Sequence, residues 1–261
     1  MNTAKNNIKL KLENNTNISV KGYIAPIEHT LSHFHKEWDT LANLHVAEPE
    51  KEHPLSVFQA FLPSEPVSIG ECWQPKSDGI TELLQQLHPA TELLDTHTPT
   101  GDAPGLWTCL RAYNDSYADI AFRIHAAFRF DDGTLTPSQF KGNLIIDRID
   151  GSVSYFRMYV PDGPVNLDIV WYEDKDKHSG ITDAGLCTQM ELWSGMEDPT
   201  KKIEYTESIT QEEAERLLIL RFYEAEQINW VPPEEAIALA EKEVKLIHVI
   251  SIDGPLHDES C

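Results

Sequence analysis

Between Asp119 and Phe130, apolar residues recur at every second position: Ile120, Phe122, Ile124, Ala126, Phe128 and Phe130 alternate with Arg123, His125 and Arg129. Successive side chains of an extended strand point to opposite faces, so a period of two predicts a strand with one face in a core and one in water. A one-residue slip in its pairing would turn the whole apolar set outward, so this segment restricts the fold tightly. It needs neighbours, and the following sequence provides them. Asp131-Asp132-Gly133 is a turn, residues 140–147 and 153–160 flank Asp150-Gly151 as the arms of a hairpin, and residues 165–172 read as a further strand. No long helix separates these segments to act as a crossover, which predicts antiparallel pairing.

The flanks have a different texture. The first twenty residues hold Asn14-Asn15-Thr16-Asn17 and read as a loose arm. Trp38, Leu41 and Leu44 then stand at helical spacing, so residues 1–54 form an N-terminal arm and helical lead-in. Residues 55–205 form the β-rich domain. Within it residues 56–62 read as a β-like piece closed by Pro63 and Pro66, residues 80–87 as a short helix, and residues 96–105 as a linker rich in Thr, Pro and Gly. Near Thr210 the pattern turns helical. Thr210-Gln211-Glu212-Glu213 is a capping box, and Ala214, Leu217, Leu218 and Phe222 form an apolar stripe behind it. A second helix opens at Pro232-Pro233-Glu234-Glu235 and is expected to bury Ala236, Ile237, Ala240 and Val244. Residues 246–252 are almost continuously apolar, as an interior strand is, and lead to Ser260-Cys261. Residues 206–261 therefore resemble the first half of a thioredoxin-like unit. The fold class expected is α+β: a β-rich antiparallel middle domain followed by an incomplete thioredoxin-like α/β unit.

Charge narrows the partners. Lys and Arg number 21 against 43 Asp and Glu, a net charge of −22, and such a surface repels phosphate backbones and anionic membranes. No nucleic acid and no membrane is therefore expected among the partners. No apolar run reaches the ~20 residues of a membrane helix, and no secretory signal is visible, so the expected localisation is cytoplasmic. Four cysteines (Cys72, Cys109, Cys187 and Cys261) show no C-x-x-C spacing. The first three read as small buried hydrophobes that do not pair with one another.

The segment from Leu246 through Asp253-Gly254-Pro255 to His257-Asp258-Glu259-Ser260-Cys261 resembles the strand and loop that precede the Ser-Cys-Sec-Gly motif of the selenoprotein N family, bacterial members included. The likeness continues upstream through Leu135-Thr136-Pro137-Ser138-Gln139-Phe140-Lys141-Gly142, Tyr159-Val160-Pro161, Val165 to Trp171 and Gln189-Met190-Glu191-Leu192. Ser260 and Cys261 match the first two motif positions. The resemblance implies a thiol/selenol-disulfide oxidoreductase in which Cys261 is the redox-pair thiol and Ser260 supports it. The substrate it implies is a protein or small-molecule disulfide, with selenium present only as selenocysteine and no other cofactor. It further implies that this chain stops one residue before the selenocysteine. As 261 residues it is then expected to be redox-silent at Cys261, because neighbour and following helix are both missing.

Other constellations read as structural. His29 and His33 stand four apart with His35 nearby, a spacing metal ligands use, yet no Glu lies between them and no distant ligand is evident. A solvated helix face is the better reading. Asp174-x-Asp176-x-His178 begins like a calcium loop, but Ser179 stands where Gly is required and Gly185 where the closing Glu belongs. His125 between Arg123 and Arg129 could orient an anion and is read instead as a cross-strand partner. No phosphate loop or nucleophile elbow occurs. Beside the oxidoreductase stands one reading from another class: a non-enzymatic, protein-binding scaffold with an incidental C-terminal cysteine.

Overall fold

The computed structural model describes residues 6–14, 16–98, 101–172, 180–195, 202–222, 231–247 and 249. The first strands are β1 (Ile18–Ile24), β2 (Ile27–Thr30), β3 (Glu50–His53), β4 (Cys72–Trp73), β5 (Thr91–Leu93), β6 (Asp95–Thr98), β7 (Gly101–Pro104), β8 (Leu106–Tyr113) and β9 (Tyr117–Ile124). Then come β10 (Ala126–Phe130), β11 (Gly133–Pro137), β12 (Phe140–Asp147), β13 (Ser152–Tyr159), β14 (Leu167–Tyr172), β15 (Gly180–Cys187), β16 (Met190–Ser194) and β17 (Glu207–Ser208). The helices are short: α1 (Phe34–Glu37), α2 (Asp39–Ala42), α3 (Leu55–Gln59), α4 (Ser77–Leu87), α5 (Gln211–Phe222) and α6 (Pro233–Glu243).

Strands β17-β8-β9-β12-β13-β16-β1-β3, with β4 also on β8, make a nine-stranded sheet. A six-stranded sheet runs β2-β15-β14-β11-β10-β5, and β6 and β7 form a separate ribbon. Pairing among the described strands is antiparallel throughout, as the hairpin-rich sequence predicts. The chain passes between the large sheets repeatedly, from β1 to β2, from β9 to β10, from β11 to β12, from β13 to β14 and from β15 to β16. The sheets share one core, in which Phe128 of one lies 6.4 Å, ring to ring, from Phe140 of the other. Phe61, Phe122 and Phe156 pack at its centre with ring separations of 4.9–6.0 Å. Burying such rings supplies about 1.5–3 kcal/mol each.

Several sequence expectations need correcting. Residues 119–130 are two strands in two sheets, parted at His125, not one. The alternation holds its phase across the break, and Phe122, Ile124 and Phe128 face the core. The supposedly wet face of β9 is dry, with Arg123 only 4% exposed, because α5 covers it. The arm is not loose: Leu10 and Leu12 are buried, Ile8 bridges to Val67, and β1 and β3 complete the nine-stranded sheet. Residues 56–62 are mostly helix α3, since Pro54 initiates a turn and Leu55, Val57 and Phe58 bury one side of it. The stretch read as a linker contains the β6–β7 ribbon.

The capping box forms as read. Thr210 Oγ1 accepts from the Glu213 N–H at 3.0 Å and the Thr210 N–H donates to Glu213 at 2.8 Å. Helix α5 then packs its Ala214, Leu218 and Phe222 on the nine-stranded sheet, and β17 just before it pairs with β8. Helix α6 buries none of its residues, contrary to expectation; Ile237 is half exposed and Val244, beyond its end, is in water. Leu246, Ile247 and Val249 are exposed and belong to no strand, and the rest of the expected interior strand lies outside the described residues. The described part of residues 206–261 thus shows one helix on the sheet and one apart from it, without the strand a thioredoxin-like unit requires. No helix among the described residues is long and apolar enough to cross a membrane.

Candidate functional site

Three adjacent strands towards one end of the large sheet present their outer side chains in register beneath α5. Trp107, Arg123 and Lys141 form one row across β8, β9 and β12, and Cys109, Ala121 and Asn143 form the next. Cys72 on β4 faces Cys109 and extends that row by one strand. The small Cys109 and Ala121 let the helix settle close, so that Ala214 and Leu218 seal them from water. Around this apolar seam the helix meets polar groups. Lys141 pairs with Glu215 at 3.2 Å, and Asn143 Nδ2 donates to Gln211 at 3.2 Å and to Asp119 at 2.8 Å. Arg111 grips Asp119 through Nε at 2.8 Å and Nη2 at 2.5 Å. The guanidinium of Arg123 lies 5.4 Å from the Phe222 ring and that of Arg221 lies 5.4 Å from Trp107.

The thiol pair is the most reactive chemistry in this layer. Cys109 is fully buried, Cys72 is partly exposed, and both are unbridged. The facing Cys109 thiol, with the nearby Arg221 guanidinium, lowers the Cys72 pKa against the opposing effects of burial and Glu71. The same contact, with burial, drives the Cys109 pKa upward. Cys72 is thus the more acidic of the two thiols. Cys187 differs: it is buried, donates to Ala25 O and Gln189 O, and has its pKa raised by burial.

The structure disperses the histidine candidates. His125 sits at the crossing between sheets, its N–H donating to Gly105 O at 2.8 Å. Burial, aided by Arg123, pushes its pKa down to about 4. Arg123 lies under α5, while Arg129 belongs to the other sheet and pairs with Glu92, so no anion cradle of the three exists. His29 lies on strand β2, His33 at a left-handed corner with φ 69°, and His35 in α1, so the expected helix face is a strand and a turn. His35 bonds Thr30 Oγ1 at 2.9 Å. Among the described residues no group of three or more His, Cys, Asp or Glu is arranged to hold a metal ion. Ser260, Cys261 and the Asp174–His178 motif lie outside the described residues. The Cys72–Cys109 juxtaposition was missed in the sequence because 36 residues separate the two. The only local sign was that each has a tryptophan within two positions.

Together the fold and this layer define a β-rich, antiparallel protein that carries a thiol pair on its sheet. The chain is 31% identical over 245 residues to a selenoprotein N of Danio rerio, covering 79% of this chain and 42% of that protein. It is 29% identical over 243 residues to a selenoprotein N of Mus musculus, and 27% identical over 271 residues to one of Homo sapiens, covering 79% and 82% of this chain. No protein-family model and no solved structure matches it. The chain belongs to a selenoprotein N-like family. It spans less than half the length of these relatives, 42–45%.

Proposed function

We propose that this chain is part of a thiol/selenol-disulfide oxidoreductase of the selenoprotein N type, with Cys261 as the redox-pair thiol and Ser260 as its supporting motif residue. One observation carries the reading: a likeness to selenoprotein N over about four-fifths of the chain, together with a Ser260-Cys261 pair matching the first half of the family's Ser-Cys-Sec-Gly motif. In that motif the adjacent selenol supplies the attack on a disulfide. Cys261 then releases the bound half by intramolecular exchange, its sulfur forming the new bond as the substrate's second sulfur departs. The substrate class is a protein or small-molecule disulfide, and residues 206–261 are read as the start of the thioredoxin-like unit that presents the pair.

A second reading, a non-enzymatic protein-binding scaffold, is favoured by the absence of any buried residue in α6 and the exposure of Ile237, Leu239, Val244 and Leu246. The test compares reduction of a model disulfide by the 261-residue chain and by a form extended beyond residue 261, with Cys at the selenocysteine position. Turnover by the extended form that is lost on Cys261→Ser supports the oxidoreductase. No turnover by the extended form overturns it and leaves the scaffold.

A further inference from the structure

The residues that match the family's motif are Ser260 and Cys261, whereas the Cys72–Cys109 pair lies on the body of the sheet and belongs to no part of that motif. Its backbone geometry suits a disulfide. The Leu110 N–H donates to Glu71 O at 3.2 Å, so the neighbouring 71/110 position is the hydrogen-bonded one. Cys72 and Cys109, next along, occupy a non-hydrogen-bonded position, where facing Cα atoms lie about 4.5 Å apart and side chains come closest. That separation falls at the short end of the roughly 4.4–6.8 Å range that disulfides span. The two thiols are unbridged, as expected, yet they face each other across the strand pair.

Access is unequal in the way that thiol exchange requires. Cys72 is partly exposed at the edge of the layer, beside the exposed Arg221, while Cys109 is sealed beneath Ala214 and Leu218. An incoming disulfide reaches only Cys72. Of the remaining described cysteines, Cys187 lies on another strand and bonds to carbonyls there.

We propose that Cys72 and Cys109 form a second redox site, a dithiol that reduces a small-molecule disulfide by closing a reversible cross-strand disulfide. Cys72 thiolate attacks one sulfur of the incoming disulfide, forming a mixed disulfide and expelling the first thiolate. Cys109 gives up its proton to that departing group and attacks Cys72 Sγ, forming the Cys72–Cys109 bond and expelling the second thiolate, which takes a proton from water. The small molecule gains two electrons and becomes two thiols; the protein loses two and gains one bond. Cys72 is partly exposed, so thiols in solution can attack the Cys72–Cys109 bond and restore both thiols by the reverse exchange.

The experiment uses the full chain carrying Cys261→Ser, so that its outcome is independent of the motif cysteine. The protein is equilibrated in glutathione buffers of rising oxidised fraction, quenched in acid, unfolded, alkylated and weighed intact. The expected result is the joint loss of two alkylation sites, with a digest showing the peptide of Cys72 linked to that of Cys109 and reduced glutathione restoring both. A Cys109→Ala variant, which removes one sulfur from beside Ala121 and Ala214, should instead accumulate glutathione on Cys72. Glutathione retained on Cys72 in the Cys261→Ser chain while Cys109 still alkylates overturns the proposal. So do full alkylation of both thiols in the most oxidising buffer and a crosslink that involves Cys187.

Discussion

Asp119 is fully buried and held by Arg111 through two contacts, with Asn143 on its other oxygen. Removing one partner of a buried pair strands the other charge, so Asp119→Ala should cost about 3–5 kcal/mol in urea unfolding. Replacing Arg111 and Asp119 together by Met and Leu should recover most of that loss. His125 gives the molecule a pH dependence of known sign. Its pKa is about 4 when folded against 6.5 as an ordinary histidine, so between these values the unfolded chain binds the extra proton. Stability therefore falls as pH drops from 6.5 towards 4, and His88, lowered by burial, adds in the same direction. Compared with His125→Leu in urea at pH 7 and pH 4.5, the wild type should lose on the order of 2–3 kcal/mol more. At Cys72 the facing Cys109 thiol is the larger cause of the lowered pKa, and Arg221 adds to it. Arg221→Gln should move the pH profile of Cys72 alkylation upward, about tenfold less thiolate for each pKa unit.

Elements were legible where their instructions are local. The 140–147/152–159 hairpin, helix α4 and the Thr210–Glu213 box each contain their own turn, cap or stripe, and each forms as its sequence indicates. What was not legible depends on partners distant in sequence. The alternation at 119–130 identified the core face but not that α5 dries the other face, nor that His125 parts two sheets. The apolar stripe of α6 did not ensure burial, because the described structure gives it no surface to pack against. The thiol site was hidden because strand β4, two residues long, carries no alternation to read. Two substitutions test the elements. Thr210→Ala removes the cap that orients α5 and should cost about 1 kcal/mol. Gly142 sits between Phe122 and Met158 in register, and a Cβ there would approach Arg157 O to 1.8 Å and the Phe122 ring to 2.5 Å. Gly142→Ala should therefore cost at least about 1–3 kcal/mol by overpacking, read as a lowered thermal midpoint.

At the scale of the whole molecule the charge is −22, and exposed ion pairs among the described residues, such as Lys11–Glu13 and Lys51–Glu48, are worth little each. Self-repulsion of that size is screened by salt, so the thermal midpoint should rise by ~2–5 °C between 0.02 and 0.5 M NaCl, the opposite of what loss of surface pairs would give. The sheet order sets a second property. β1 is flanked by β16, with Lys21 opposite Trp193, and by β3. A ribosome making this chain releases residues 18–24 early, yet the strand they must pair with is made some 170 residues later. At about 5–20 residues per second, that is an interval of roughly 10–30 s. Throughout it one edge of β1 stays open, and Val20 and Ile24 await the core they will enter. Nascent chains stalled before residue 190 should therefore recruit holding chaperones to their first sixty residues, whereas chains stalled beyond residue 222 should release them.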